Sequence, residues 1–207
     1  MRKDSARNRA RLVEAAREVF AARGFSATLD DIARHAGVGT GTAYRHFANK
    51  QAIAAEVLAD ATTAILDDAN AALALDDPWA GLELFLLRNA ERQAADRGLY
   101  ETLTGQGDPE LQAAIWPRII AAVTELVARA RAGGQLRADA EVQDVGAIMA
   151  MLGPVFTMSR VTGTEVWRRY LALLLDGLRA PGGTGFPVPA LPLQEWDVIL
   201  QAGKHRP

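Results

Sequence analysis

The sequence predicts an all-α fold: an N-terminal three-helix unit that contains a helix-turn-helix, followed by a larger helical unit. Three observations lead there. Ala and Leu dominate a chain of 207 residues that is 49% hydrophobic, and runs of β-branched residues are scarce, which favours helix over sheet. Apolar residues recur at i, i+3, i+4 through successive segments, the spacing of one helix face. Helix punctuation separates those segments: glycines where helices stop (Gly24, Gly37, Gly133-Gly134) and Asp-Pro pairs where they start (Asp77-Pro78, Asp108-Pro109). The expected division is 1–50, 51–180 and a Pro/Gly-rich segment 181–207.

Composition excludes several classes. With no cysteine there is no disulfide framework, thiolate zinc site or thiol nucleophile, which fits a reducing cytoplasm. The start, MRKDSARNR, is basic but lacks the apolar core of a signal sequence. The longest apolar run, about 145–158, is shorter than a membrane span and is interrupted by Gly153-Pro154, so a soluble protein with no membrane partner is expected. The histidines, His35, His46 and His205, form no metal-type H-x-x-x-H pair, and no glycine loop is placed to cradle phosphate. Acidic pairs such as Asp67-Asp68 read as solvated helix ends. No enzyme activity, metal or cofactor is expected.

The net charge of −2 hides an asymmetry: residues 1–50 carry ten Lys and Arg against five Asp and Glu, the remainder thirteen against twenty. A basic end on an acidic chain fits a nucleic-acid-binding head, and equally a solvated helix face. Residues 1–9 read as including a flexible arm in which Arg2, Lys3 and Arg7 reach phosphates or simply aid solubility. A first helix is expected over about 5–23, with Leu12, Ala15, Ala16, Val19 and Phe20 as its stripe and Gly24 as its stop. Thr28, with Asp31 three residues on, is a capping-box start for a second helix whose apolar face is Leu29, Ile32 and Ala33. Gly37 ends it, Val38 plugs the gap, and a third helix spans 40–47 with Ala43, Tyr44 and Phe47 on one side.

Two helices this short are unstable alone but make a helix-turn-helix when joined by about three residues. The second can enter a major groove and carries hydroxyls, a guanidinium, an imidazole and a phenol, a set suited to phosphates and base edges. The run T-x-x-D-I-A-x-x-A-G-V-x-x-G-T-x-Y-x-H-F-x-N-K over 28–50, with Arg9, Leu12, Val13, Ala15, Ala16, Phe20 and Gly24 before it, resembles the DNA-binding signature of the tetracycline-repressor (TetR) family. Gly39 stands where that family often has a capping Ser, and Ala43 where it often has a larger apolar residue. The resemblance implies a ligand-responsive regulator, more often a repressor, binding a double-stranded palindromic operator as a homodimer. It also implies that Thr28 and Lys50 hold phosphates, that Tyr44 holds another, and that Thr40, Gly41, Thr42, Arg45 and His46 face base edges. His46 fits packing against the next helix equally well.

The fourth helix opens near Lys50 and runs towards Leu75, with Ala54, Val57, Leu58, Ala61 and Ile65 inward. In the family resembled, this helix transmits ligand binding to the head. The fifth runs from Pro78 to about Arg97, and its stripe Leu82, Phe85, Leu86, Asn89, Gln93 contains two amides, which bond backbone or water inside the core, lie at the stripe's edge, or orient a small molecule. A short helix lies within 98–107. The next runs 109–132, with Pro117 expected to kink or break it. Tyr100, Trp116 and Met149 are candidates, with Phe85, Asn89 and Gln93, to line an effector pocket; core packing explains them as well. One helix is expected over 140–159 with a kink at Pro154, and a last over about 165–179. Both carry more apolar surface than one core needs, which points to a dimer interface. Residues 181–207 are expected to lie extended on the protein, with a short helix at about 194–201.

Overall fold

The computed structural model describes residues 2–181, 183–192 and 195, with side chains from Asp4 onward. Ten α-helices follow one another: α1 Arg2–Arg23, α2 Leu29–Ala36, α3 Thr40–His46, α4 Lys50–Leu73, α5 Pro78–Ala95, α6 Arg97–Leu103, α7 Pro109–Ala132, α8 Val142–Met151, α9 Gly153–Thr162 and α10 Val166–Leu178, with a 3-10 turn Gly24–Ser26 after α1. Among the described residues there is no strand, only an isolated bridge between Leu136 and Arg179.

The helix starts follow from side chains placed to catch free amides. Asn49, Asp77, Asp96 and Asp108 each accept a backbone N–H from the first turn of α4, α5, α6 and α7, and Pro78 and Pro109 occupy first positions where no N–H is needed. Substituting such a cap by Ala costs about 1 kcal/mol. The core is continuous: Leu12, Ile32, Ile53, Leu82 and Leu86 are fully buried. α1 packs on α2, α3 and α4; α4 packs on α5 and α7; α6 lies between α1 and α5. Between α4 and α5, Gly81 permits close approach, since a Cβ there would stand 2.5 Å from the Ala72 carbonyl oxygen. Asp68 clamps the same pair through Arg88 and Arg92 at 2.7 and 2.6 Å. Burial pushes its carboxyl up, and the two guanidiniums outweigh that and hold it low.

Three expectations are corrected. The helix begins at Arg2, so the stretch expected to include a flexible arm is helical from there. Pro117 sits inside α7 without ending it. The helix expected over 140–159 is two, α8 and α9, parted at Leu152. Pro154 lacks the amide that would bond the Ala150 carbonyl, and the Tyr100 hydroxyl donates to that carbonyl instead, at 3.0 Å. The described part of the segment after α10 is held against the protein by polar contacts and by the Phe186 ring. Arg137 donates to the Thr184 carbonyl at 2.9 Å and stacks on Phe186 at 3.7 Å, and Gln143 holds the Leu191 carbonyl at 3.0 Å. Val188 is left 69% exposed. The helix expected at 194–201, with Trp196, Ile199 and Leu200, lies outside the described residues apart from Glu195.

Segments 109–132 and 142–162 are long and apolar enough, by length and composition, to cross a membrane. The second therefore reaches the length that the reading of 145–158 fell short of. Both turn buried stripes to the core, Ile115, Ile119, Val123 and Leu126 in one and Val145, Ile148, Leu152 and Phe156 in the other, as core helices do.

Candidate functional site

The helix-turn-helix is built from local chemistry. The Thr28 hydroxyl accepts from the Asp31 amide at 3.1 Å, and the Asp31 carboxylate accepts from the Thr28 amide and hydroxyl at 3.0 and 2.8 Å. Those bonds, the Thr28 amide first, hold the Asp31 carboxyl at a pKa of about 2. At the other end Gly37 takes φ +61, where a side chain is strained, and the Val38 amide closes on the Ala33 carbonyl at 3.0 Å. Buried Val38 fills the corner.

α3 is seated by Ala43 and Phe47, both buried. Thr40, Gly41, Tyr44 and Arg45 are exposed, and Thr42 and His46 are half-buried. Tyr44 is thus not on the inner side with Ala43 and Phe47 as its spacing predicted; it stands 52% exposed. Arg45 donates to the Thr42 hydroxyl at 2.8 Å, which fixes guanidinium and hydroxyl on one face. A Cβ on Gly41 would meet nothing within 4 Å, so the outer surface of α3 is open there to the backbone. The glycine at 39 leaves the α3 start without a side-chain cap.

Part of the basic surplus of the first fifty residues is offset by carboxylates paired with it in the fold. Arg9 pairs with Glu56, Arg17 with Glu14 and Asp60, and Arg23 and Arg34 with Asp31. Arg45 has no carboxylate partner among the described residues. Lys50 donates to the Phe25 carbonyl at 2.7 Å and keeps two further donors. Thr28 and Lys50, read as phosphate contacts, therefore also have structural bonds.

Behind this head, a cavity of about 40 Å³ opens between α5, α6, α7 and α8. Phe85, Asn89, Gln93, Trp116 and Met149 come together around it. Tyr100 does not: its ring packs edge-on against Phe156 at 5.7 Å and its hydroxyl is tied to Ala150. Sequence reasoning missed further wall residues, among them Leu103, Thr104, Val145 and Gly146; apolar spacing alone does not separate a wall from a core, and nothing in 98–107 marks a wall. Gln93 donates from Nε2 to Asn89 Oδ1 at 3.1 Å, while Gln93 Oε1 is buried and has no partner among the described residues.

One missed residue links head and cavity. Glu101 on α6 accepts from the Phe25 amide at 2.8 Å and from Arg97 at 2.7 Å. Its carboxylate covers Gly24, where an added Cβ would lie 2.3 Å from Oε2. The partners are 76 residues apart, so no local pattern signals them. Gln51 on α4 adds a second tie, to Asp108 at 3.2 Å. Among the described residues no cluster of three or more His, Asp or Glu is placed to hold a metal.

Comparison with known proteins agrees with this geometry. Residues 12–57 match the family described as bacterial regulatory proteins, tetR family, and residues 77–180 match the C-terminal domain of SbtR-like transcriptional regulators. A TetR transcription regulatory protein from Mycobacterium vanbaalenii is 38% identical, over 86% of this chain and 99% of that one, with a TM-score of 0.55. A TetR regulator from Streptomyces coelicolor is 30% identical over 84% and 99%, with a TM-score of 0.56. The fatty-acid regulator FadR from Bacillus subtilis, solved in complex with stearoyl-CoA, is 19% identical over 82% and 98% with a TM-score of 0.58, a likeness of fold. The HTH-type transcriptional regulator SrpR from Pseudomonas putida is 37% identical over 100 residues, 48% of this chain and 46% of that protein, so the match spans about half the length of that relative. With both halves matched and a full-length relative at this identity, the chain belongs to the TetR family of bacterial transcriptional regulators.

Proposed function

We propose that the protein is a ligand-responsive repressor that binds a palindromic operator as a homodimer in the cytoplasm and is released by a small molecule. The carrying observation is the exposed face of α3, with Thr40, Gly41, Thr42, Tyr44 and Arg45 outward on a helix anchored by Ala43 and Phe47. In this reading residues 1–50 are the head, with Arg45 the main base contact, Thr42 and His46 beside it, and Tyr44, Thr28 and Lys50 on phosphates. Residues 51–180 bind ligand and form the dimer, and 181–207 are a Pro/Gly-rich C-terminal segment. The family is one of transcription regulators rather than enzymes.

Dimerisation is supported by the outer faces of α8, α9 and α10, where Met151, Met158, Val161, Tyr170 and Leu173 are exposed together. A four-helix interface there would set two copies of α3 about 34–36 Å apart, or a multiple of that, in successive grooves. Ligand response is supported by the cavity and by the Glu101 tie that joins its wall to the head. The stearoyl-CoA complex of the similarly folded FadR also supports a ligand site in this class of body.

Selection of bound sequences from a random DNA pool, with purified full-length protein at moderate salt, tests the reading. An enriched palindrome is expected, and its half-site spacing reports the dimer geometry. Salt-sensitive binding with no enriched sequence would overturn it.

A further inference from the structure

We infer that the cavity takes a small, uncharged, mainly apolar molecule bearing a hydroxyl, of the phenol or compact-alcohol class, and that Gln93 is the residue that reads the hydroxyl. The inference rests on the ligand-responsive reading above and names the chemistry of its effector.

The walls argue for an apolar body. Phe85, Leu103, Trp116, Val123, Val145 and Met149 surround the space, and among the described residues no Asp, Glu, Lys, Arg or His lines it. An ionised ligand would lose its hydration and find no counter-charge, the costliest kind of burial. Carboxylates, phosphates and coenzyme thioesters are therefore disfavoured. The size argues the same way. A space of about 40 Å³ holds a water or two, well short of the 300–1,000 Å³ of pockets for drug-sized ligands. Entry by even a single ring has to push a wall outward.

The amide pair argues for the hydroxyl. Gln93 is 1% exposed, its Nε2 is engaged by Asn89, and its Oε1 faces no partner among the described residues. Native interiors leave few such atoms unsatisfied. The Asn89–Gln93 pair sits on the cavity wall, so a group entering the cavity can supply the missing bond. Water could bond the oxygen but would leave the apolar wall wet. A hydroxyl on an apolar body satisfies both. It also suits either orientation of the amide pair, since it donates as well as accepts.

Isothermal titration of the full-length protein with 4-methylphenol, toluene and benzoate tests this. 4-Methylphenol is expected to bind about tenfold more tightly than toluene, the equivalent of about 1.4 kcal/mol for one hydrogen bond. Benzoate is expected to bind at least about a hundredfold more weakly than 4-methylphenol. In Gln93→Leu the preference for 4-methylphenol over toluene should disappear while toluene still binds, which also shows that the variant is folded; Gln93→Met serves if it is not. Benzoate binding as tightly as 4-methylphenol, an unchanged preference in Gln93→Leu, or no binding of 4-methylphenol up to its solubility limit would overturn the assignment. Repeating the titration on the operator complex separates the two readings. Binding of 4-methylphenol without release of DNA supports the pocket chemistry and overturns the ligand response instead.

Discussion

Gly24→Ala is expected to destabilise the protein for two separable reasons. Gly24 has φ +63, and an L side chain in that region costs roughly 1–2 kcal/mol. The added methyl would also stand 2.3 Å from Glu101 Oε2 and 2.6 Å from its Cδ. A carboxylate at the end of a side chain can swing away, so the second cost is what Glu101 gives up in moving. That is a charge-assisted bond to the Phe25 amide at 2.8 Å, about 1.5–3 kcal/mol. The pair with Arg97 is half-exposed and adds little. Together about 3 kcal/mol or more should be lost. In a Glu101→Ala background the methyl has room, and Gly24→Ala should cost only its conformational part, roughly 1–2 kcal/mol. Urea unfolding of the four proteins, followed by far-UV circular dichroism, closes the cycle. An equal cost of Gly24→Ala in both backgrounds, within about 0.5 kcal/mol, would refute the argument, because Glu101 would then play no part in what position 24 tolerates.

Gly41→Ala adds a methyl into open space on the outer face of α3 and replaces a poor helix former, so stability should hold or rise by up to about 1 kcal/mol. Operator affinity should nevertheless fall if DNA approaches that backbone, and electrophoretic mobility shift reads this directly; unchanged affinity would move the contact surface elsewhere. Leu173→Glu places a charge at a position 56% exposed in the single chain, and should convert a dimer to monomer in sedimentation equilibrium without lowering monomer stability. Acid should weaken the fold: Asp31 and Asp139 have pKa values of about 2 in the folded chain, held down respectively by the Thr28 amide and by Arg137, against 3.8 ordinarily. Folded-state values below the unfolded one give stability that is fully present above pH 3.8 and is lost as pH falls towards 2. The urea midpoint should therefore drop between pH 4 and pH 2, and the drop should be smaller in Asp31→Asn.

What the sequence made legible is what short-range chemistry decides. Thr28 with Asp31, Gly37, Asp77-Pro78 and Asp108-Pro109 each signal a helix end because the groups that bond are neighbours in the chain, and the ends lie where those signals stand. The amides Asn89 and Gln93 were visible as misfits on an apolar stripe. What was illegible depends on distant partners. Pro154 predicted a kink, but the parting of α8 from α9 also needs Tyr100, fifty residues back, to take the freed carbonyl. The charge surplus of the head was counted correctly, but Glu56 and Asp60 on α4 neutralise Arg9 and Arg17, which no count within residues 1–50 can register. Arg45 stands apart from those pairs only once the fold is known.

For the ligand response proposed above, the placement of α6 offers a physical route. It is seven residues long, against 24 for α4 and α7, so few backbone bonds of its own hold it in line. Its end, Leu103 with Thr104, walls the cavity; Tyr100 holds the joint of α8 and α9; Glu101 holds the turn between α1 and α2. A cavity too small for its ligand must yield somewhere, and a short helix yields before long ones packed on each other. Movement of α6 would then pull on Phe25 and on Lys50, which bonds the Phe25 carbonyl, and so reorient α3. Glu101→Ala cuts that link outside the cavity wall. It should leave the affinity for 4-methylphenol little changed, since the residue does not line the space, while shrinking the effect of that ligand on operator affinity. Mobility shifts with and without ligand, on both proteins, measure the difference. If the ligand weakens operator binding equally in both, the signal runs through α4 alone and the Glu101 tie is only structural.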